Sequence, residues 1–274
     1  MTNTGQHMTI NGNEIYYELY KHAQSEETII CLHGFLSSSF SYRRLIPLLI
    51  KQYNVVCIDW PPFGKSGRAK GFFYSIQNLA LTIIQLFEKL ALKNITIVGH
   101  SMGGQVALNI AHLRPDLAKK IILLASSGYL KKFKRALVLS SYLPFFHLFV
   151  KRHLKQSGLK QNLQRVVYNH SIIDQEMENG YLEPFLQANI FHALTRMIRN
   201  WEGDLPVEVL RKIDTPILLI WGKYDKVVPL HIGQQLHKDL NNSRLEVLDN
   251  TGHLVPEEKP KLVMELIMEF INEE

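Results

Sequence analysis

The chain has 274 residues, of which 46% are hydrophobic and 20% are charged, values typical of one large globular domain or of one domain with a modest insertion. Its two cysteines, Cys31 and Cys57, lie in apolar runs and form neither a CxxC pair nor a zinc-type Cys/His cluster, so we expect buried, reduced thiols. The formal net charge is +6, but no nucleic-acid motif accompanies it. The sequence shows neither a signal-peptide pattern nor an apolar run of the roughly 18 residues that a membrane span needs. We therefore expect a cytoplasmic protein with no nucleic-acid partner and no membrane span.

The first half of the chain alternates predicted strands and helices. A hairpin is predicted where MTI and EIYYELY flank Asn11-Gly12-Asn13, because Asn-Gly favours a tight turn. Buried strands follow at ETIICLHG, NVVCIDW, NITIVGHS and KKIILLAS. Apolar residues at helical spacing predict a helix from Gln77 to Leu92, and Pro115 ends the helix MGGQVALNIAHLRP. This alternation predicts an α/β protein with a mostly parallel sheet and helices on both faces.

The alternation stops between residues 128 and 206, where helical segments occur without a convincing buried strand. It returns with the strand PILLIWGKYD, a helix near Leu230 to Leu240, the strand SRLEVLD and a C-terminal helix. We therefore predict a core domain from residues 1–127 and 207–274, with residues 128–206 inserted as a helical cap, or lid. Ligands of open α/β sheets bind beyond the carboxyl ends of the strands, which is where we expect this cap to lie.

The predicted cap is strongly basic. Between Lys131 and Arg165 the chain carries nine Lys or Arg residues and no Asp or Glu. This run is expected either to be a solvated helix face or to attract an anionic substrate or, weakly, an anionic membrane surface.

The pentapeptide from Gly99 to Gly103, GHSMG, matches the pattern G-x-S-x-G. Its setting is informative because a β-branched apolar run precedes it and a helix follows. A sharp strand-to-helix turn would raise the Ser101 hydroxyl above the sheet at a helix N-terminus. We therefore predict that Ser101 is a catalytic nucleophile, the alternative being a glycine-rich packing turn.

A serine nucleophile needs a base. The chain has 12 histidines, so the candidate is selected by its position relative to the predicted strands. His253 follows the last predicted strand, at the same sheet edge as Ser101, and is our predicted base. The order of elements along the chain also places His33 and His100 near the site. We expect both to be structural histidines that form hydrogen bonds with the backbone.

The base needs a carboxylate to hold its tautomer. Asp225 follows the strand PILLI and gives the chain order Ser, Asp, His. The competing carboxylates are Asp249, which we expect to belong to a strand end, Asp204, and Asp59, which we expect to hold the turn after its strand. We predict Asp225 as the third member of a triad.

Two backbone N–H groups are predicted to stabilise an oxyanion. They belong to Met102, which directly follows the nucleophile, and to Phe35, in the loop after the first long buried strand. The Phe35 ring is free to line the pocket as well.

With these motifs in this order, the chain resembles the α/β-hydrolase superfamily. The matching segments are LHGF at 32–35, DWPPFGKSG at 59–67, GHSMGG at 99–104, WGKYDKVVP at 221–229 and NTGHLVPEEKP at 250–260. The resemblance implies an eight-stranded sheet, this triad and oxyanion hole, a helical cap between strands six and seven, and no metal or organic cofactor.

Within that superfamily the chain looks most similar to small esterases and to hydrolases that cleave C–C bonds in ring meta-cleavage products. The latter usually have Trp after the catalytic His, where this chain has Leu254, and a cap Arg for the substrate carboxylate, for which Arg165, Arg196 and Arg199 are available. Haloalkane dehalogenases and epoxide hydrolases of this fold have Asp in place of Ser101. We therefore predict an esterase of small, largely apolar substrates, with a C–C hydrolase or a slow hydrolase acting as a ligand receptor as alternatives.

The apolar stretch YLPFFHLFV of the predicted cap is too apolar on all sides for a surface helix. We predict that one side of it lines an apolar substrate pocket, the alternative being a cap core without substrate contact. The predicted pocket residues are Tyr142, Phe145, Phe146 and Phe149.

Overall fold

The sheet has eight strands, and seven successive pairings connect them. The computed structural model describes residues 4–155 and 158–273. The strands are β1 (Thr4–Ile10), β2 (Asn13–Tyr20), β3 (Thr28–Leu32), β4 (Asn54–Asp59), β5 (Ile95–His100), β6 (Ala118–Leu124), β7 (Ile217–Gly222) and β8 (Ser243–Leu248). Their order across the sheet is β1-β2-β4-β3-β5-β6-β7-β8. The first two pairings, β1 with β2 and β2 with β4, are antiparallel, and the others are parallel.

The predicted hairpin is present. Ile10 pairs with Asn13, and the two residues between them have positive φ, 51° at Asn11 and 71° at Gly12. Asparagine and glycine tolerate this conformation best, and it matches the twist of the flanking strands.

The central strands are buried along their whole length and are mainly apolar because helices cover both faces of the sheet. Every residue of β3, β5 and β7 is buried. Since these strands are parallel, the residues that follow β3, β5, β7 and β8 emerge at one edge of the sheet, as the sequence predicts for Ser101 and His253.

The described residues form twelve α-helices. They are α1 (Ile46–Leu49), α2 (Ile76–Lys89), α3 (Met102–Leu113), α4 (Arg135–Ser140), α5 (Phe146–Lys155), α6 (Leu159–Val166), α7 (Gln175–Leu186), α8 (Ile190–Asn200), α9 (Val207–Leu210), α10 (Leu230–Asp239), α11 (Val255–Glu258) and α12 (Pro260–Asn272). The Ser75 hydroxyl accepts the Asn78 N–H at 3.1 Å and caps α2. This helix ends earlier than predicted because Ala91, with φ of 49°, leaves the helical conformation. No helix in the described ranges is long and apolar enough to cross a membrane.

Helices α4 to α8 lie between β6 and β7, where the sequence predicts the insertion. Several of their side chains, including Val150, Ile190 and Leu194, are buried in the same hydrophobic core as the sheet. A smaller cluster joins Tyr181 to Leu254, beyond β8. The helices therefore pack on the sheet domain, while the boundaries 128–206 of a separate cap stay a prediction.

Candidate active site

Ser101 occupies a strained turn between β5 and α3. Its φ of 52° and ψ of −120° lie outside the regions that a non-glycine residue ordinarily adopts. The turn is close-packed: a Cβ added at Gly99 would lie 2.6 Å from the Gly103 carbonyl oxygen, and one at Gly103 would lie 2.2 Å from the Leu32 carbonyl oxygen. Both glycines of the motif are therefore required by packing, and this geometry is the one that the predicted nucleophile elbow needs.

Asp225 and His253 are in direct contact. Nδ1 of His253 lies 2.7 Å from Oδ2 of Asp225, and both side chains are buried. The other carboxylate oxygen, Oδ1, accepts the backbone N–H groups of Val227 at 2.8 Å and Val228 at 2.9 Å. Because a carboxylate only accepts, this contact assigns the imidazole proton to Nδ1 and leaves Nε2 free to accept a proton.

Ser101 and His253 line the same cavity, which has a volume of about 210 Å³. No hydrogen bond joins the Ser101 hydroxyl to the imidazole within residues 4–155 and 158–273. In other enzymes such bonds are often long without substrate and tighten when it binds. Ser101 and His253 therefore meet at one cavity, and Asp225 contacts His253 through the hydrogen bond described above.

The loop after β3 lies directly against the elbow. A Cβ added at Gly34 would lie 3.1 Å from the Cβ of Ser101, and Phe35 lines the cavity beside Ser101. Met102 is the first residue of α3, so its N–H has no acceptor within the helix. The amides of Phe35 and Met102 are thus on the two segments that adjoin Ser101.

The two other histidines near the site bond to backbone. Nδ1 of His33 lies 2.7 Å from the Gly34 carbonyl oxygen, and Nε2 of His100 lies 2.9 Å from the His253 carbonyl oxygen. Burial lowers the pKa of each to about 3, so both are neutral at physiological pH. His100 thereby helps to hold the backbone of His253.

Asp59 acts away from the cavity of Ser101. Its carboxylate accepts the Ser39 N–H at 2.6 Å and the Lys65 N–H at 2.8 Å, and a Cβ at Gly64 would collide with it at 2.0 Å. It therefore holds the turn after β4. Burial raises its pKa to about 6.

A second, larger cavity of about 520 Å³ adjoins the first, since Phe35 lines both. Met102 forms part of its wall, and Phe146 and Phe149 of α5 contribute aromatic rings whose centroids are 5.4 Å apart. Its other lining residues are mostly apolar and include Leu137, Val150, Leu194, Met197 and Trp201.

Two of the predicted pocket residues lie elsewhere. Tyr142 and Phe145 are exposed and line neither of these two cavities. Phe145 has a φ of 62° and lies in the turn between α4 and α5. Only Phe146 and Phe149 of the predicted set face the larger cavity.

Sequence reasoning missed how the insertion contacts the His253 loop. The Val166 carbonyl oxygen accepts the His253 N–H at 2.7 Å. The Glu258 carboxylate accepts N–H groups from Gly252 at 2.8 Å, Tyr168 at 2.8 Å and Asn169 at 3.1 Å. The insertion also supplies Asn162, Leu163, Val166, Tyr181 and Phe185 to the cavity of Ser101. No short motif marks these residues, because they meet only through tertiary packing.

In the described part of the chain, no group of three or more His, Cys, Asp or Glu side chains is arranged to hold a metal ion.

Residues 27–260 match the alpha/beta hydrolase fold family, and the chain belongs to that family. It is 48% identical over 263 residues to the uncharacterized hydrolase YugF of Bacillus subtilis (strain 168), an alignment that covers 96% of each protein. Among solved structures it is similar to an esterase from Exiguobacterium antarcticum, with a TM-score of 0.81, 21% identity and coverage of 98% of this chain and 100% of that one. It is also similar to the meta-cleavage product hydrolase CumD of Pseudomonas fluorescens IP01, with a TM-score of 0.80, 22% identity and coverage of 98% and 97%. At these identities the structural likenesses establish the fold alone.

Proposed function

We propose that this hydrolase is a serine esterase that cleaves carboxylic esters of small, largely apolar substrates. The observation that carries the proposal is the cavity that Ser101 and His253 share, with Asp225 Oδ2 2.7 Å from Nδ1 of that histidine. A hydroxyl on a strained elbow beside a base that a carboxylate orients is the arrangement of acyl-transfer enzymes.

The proposed reaction has two steps. His253 takes the Ser101 proton as the oxygen attacks the ester carbonyl, and the amides of Phe35 and Met102 stabilise the negative charge on the carbonyl oxygen. His253 then protonates the leaving alcohol. Water attacks the acyl-enzyme with the same base, which releases the acid and restores Ser101.

The proposed substrate is apolar because the larger cavity is lined mainly by aliphatic and aromatic side chains. Phe146 and Phe149 would contact the acyl or alcohol chain, while the ester lies in the smaller cavity against Ser101. Each buried methylene contributes about 0.8 kcal/mol, so such a cavity favours longer chains.

C–C bond hydrolysis is the less favoured functional interpretation of the same site. A meta-cleavage product carries a carboxylate, and no arginine of the described residues lines either cavity. Arg196 and Arg199 line a third recess, which adjoins the larger cavity at Phe146, and Leu254 follows His253.

A turnover measurement tests the proposal. p-Nitrophenyl esters from acetate to dodecanoate should be cleaved over many cycles, faster as the chain lengthens towards the size of the cavity, with the Ser101→Ala variant inactive. A meta-cleavage product that is cleaved faster than every ester would contradict the esterase proposal. Release of only one nitrophenol per protein molecule would instead favour a ligand receptor with slow hydrolysis.

A further inference from the structure

The surface around the turn between α4 and α5 is unusually apolar. Most exposed hydrophobic side chains of this protein are scattered, as is normal. Six large ones, however, lie within eleven consecutive residues, and each is at least half exposed: Leu139, Tyr142, Leu143, Phe145, Leu148 and Phe149. Large apolar side chains that are exposed this close together in the chain indicate an interaction site. We call these six residues the apolar crest.

The apolar crest continues into the larger cavity. Phe149 belongs to both, and the cavity's other exposed lining residues include Leu130 and Phe133. The same cavity reaches Phe35 and Met102, beside the elbow. An apolar chain could therefore pass from the crest towards Ser101 without leaving an apolar environment.

Exposed cations flank the apolar crest on both sides along the chain. Lys132, Lys134 and Arg135 precede it, and Lys151 and Arg152 follow it; all five are exposed. No Asp or Glu occurs between Tyr129 and Ile173, and none of these five cations forms an ion pair with a described residue. The partner of this surface is therefore expected to be anionic.

A cationic recess of about 270 Å³ adjoins the apolar crest at Leu143 and Phe145. His147 of α5 stacks on His192 of α8 with ring centroids 3.8 Å apart, and Arg196 and Arg199 line the same recess.

The two arginines of the recess differ in how they are held. Arg199 donates to the Ser141 hydroxyl at 3.0 Å and stacks on Tyr142 at 4.2 Å. Nε of Arg196 is buried and has no hydrogen-bond partner among the described residues. Guanidinium groups bind phosphate and carboxylate oxygens through paired hydrogen bonds, so the recess fits a phosphate held beside the crest.

We propose that the apolar crest binds the surface of an anionic phospholipid membrane, with the crest side chains inserted among the acyl chains and the flanking cations and recess against lipid phosphates. Apolar tips bordered by cations match the depth profile of such a bilayer, where phosphates lie just above the acyl chains. A second copy of this chain is a poorer partner, because a symmetric dimer would bring two basic surfaces together.

Vesicle sedimentation tests the proposal without requiring hydrolysis. The protein should sediment with vesicles that contain phosphatidylglycerol in phosphatidylcholine, bind much more weakly to phosphatidylcholine alone, and be released from the anionic vesicles by high salt. Equal binding to both kinds of vesicle, or none to either, would overturn the proposal.

Paired variants test the two parts of the surface. L139S/L143S should lower the partition coefficient on anionic vesicles by at least about tenfold, while L262S, which changes an exposed leucine of α12, should leave it unchanged. K151E/R152E should lower it by at least about tenfold, while K89E/K93E, which reverses exposed cations beside α2, should have a much smaller effect. Each variant should hydrolyse p-nitrophenyl acetate as the parent does.

Two results would contradict the assignment to the crest. Vesicle binding that survives both crest variants would place the lipid contact elsewhere. A concentration-dependent dimer in light scattering that L139S/L143S abolishes would show that a second copy of the chain covers the crest.

Discussion

Replacing Asp225 with asparagine changes one atom of the site and should reverse the tautomer of His253. Oδ1 of Asp225 accepts two backbone N–H groups, from Val227 at 2.8 Å and Val228 at 2.9 Å. The asparagine must therefore keep its carbonyl oxygen at this position, since an NH₂ group there would face two donors and leave them unpaired, at a cost of about 1–3 kcal/mol each. Its NH₂ group then points at Nδ1 of His253 and donates to it.

An imidazole that accepts at Nδ1 carries its proton on Nε2 and cannot take a proton from Ser101. We expect kcat to fall by about 10⁴, the size of the loss when the triad carboxylate of a serine protease is changed in the same way, which corresponds to about 5 kcal/mol of barrier. The free energy of unfolding should change little because the side chain keeps its shape and its three hydrogen bonds.

Initial rates with a p-nitrophenyl ester, together with urea unfolding, measure both effects. The matched control is Asp249→Asn, which removes an exposed carboxylate paired with Lys223 at 2.6 Å and should leave kcat within about twofold. A D225N variant that keeps a tenth or more of the parent's kcat would refute the assignment of Asp225 as the residue that orients the base.

Three further changes test the pocket, the His253 loop and a buried carboxylate. F146A/F149A should lower kcat/KM for long-chain esters about tenfold or more relative to acetate; an equal loss at every chain length, with a lowered Tm, would show that the pair only holds the helices together. Glu258→Gln leaves a single oxygen for three backbone N–H groups and should lower the free energy of unfolding by about 1–3 kcal/mol, so an unchanged urea midpoint would contradict the contact. Burial raises the pKa of Asp59 from 3.8 to about 6, so on raising the pH the native state loses this proton at a higher pH than the unfolded chain does. The free energy of unfolding should therefore fall as the pH rises from 4 to 7, by up to about 3 kcal/mol from this group. Asp59→Asn should remove that part of the pH dependence in urea titrations, and an undiminished slope would argue against it.

The sheet could be predicted from the sequence because its signals are local. A hairpin at Asn11-Gly12 follows from the backbone preferences of two residues, and the buried strands are short apolar runs between turn residues. The apolar spacing predicts an end of α2 at Leu92, three residues beyond the observed end at Lys89, because it continues past the point where Ala91 adopts positive φ.

The contact of Asp225 with His253 followed from chain order and strand ends, which parallel topology brings together. The pocket was less predictable because YLPFFHLFV is apolar on every side, and periodicity cannot say which side faces the sheet. In the structure Phe146 lines the larger cavity, whereas Phe145 is exposed and lines the neighbouring recess. The contact of Val166 with the His253 N–H depends on how the inserted helices settle on the sheet, which no local pattern encodes.

The central claim, that Ser101 is an activated nucleophile, is tested most directly by its covalent reaction with a fluorophosphonate, read by mass spectrometry of the intact protein and of its peptides. We predict one adduct per molecule, located on Ser101 and absent from the Ser101→Ala variant, whose kcat should fall by about 10⁶. An adduct on another serine, or an active parent enzyme that forms none, would contradict the account.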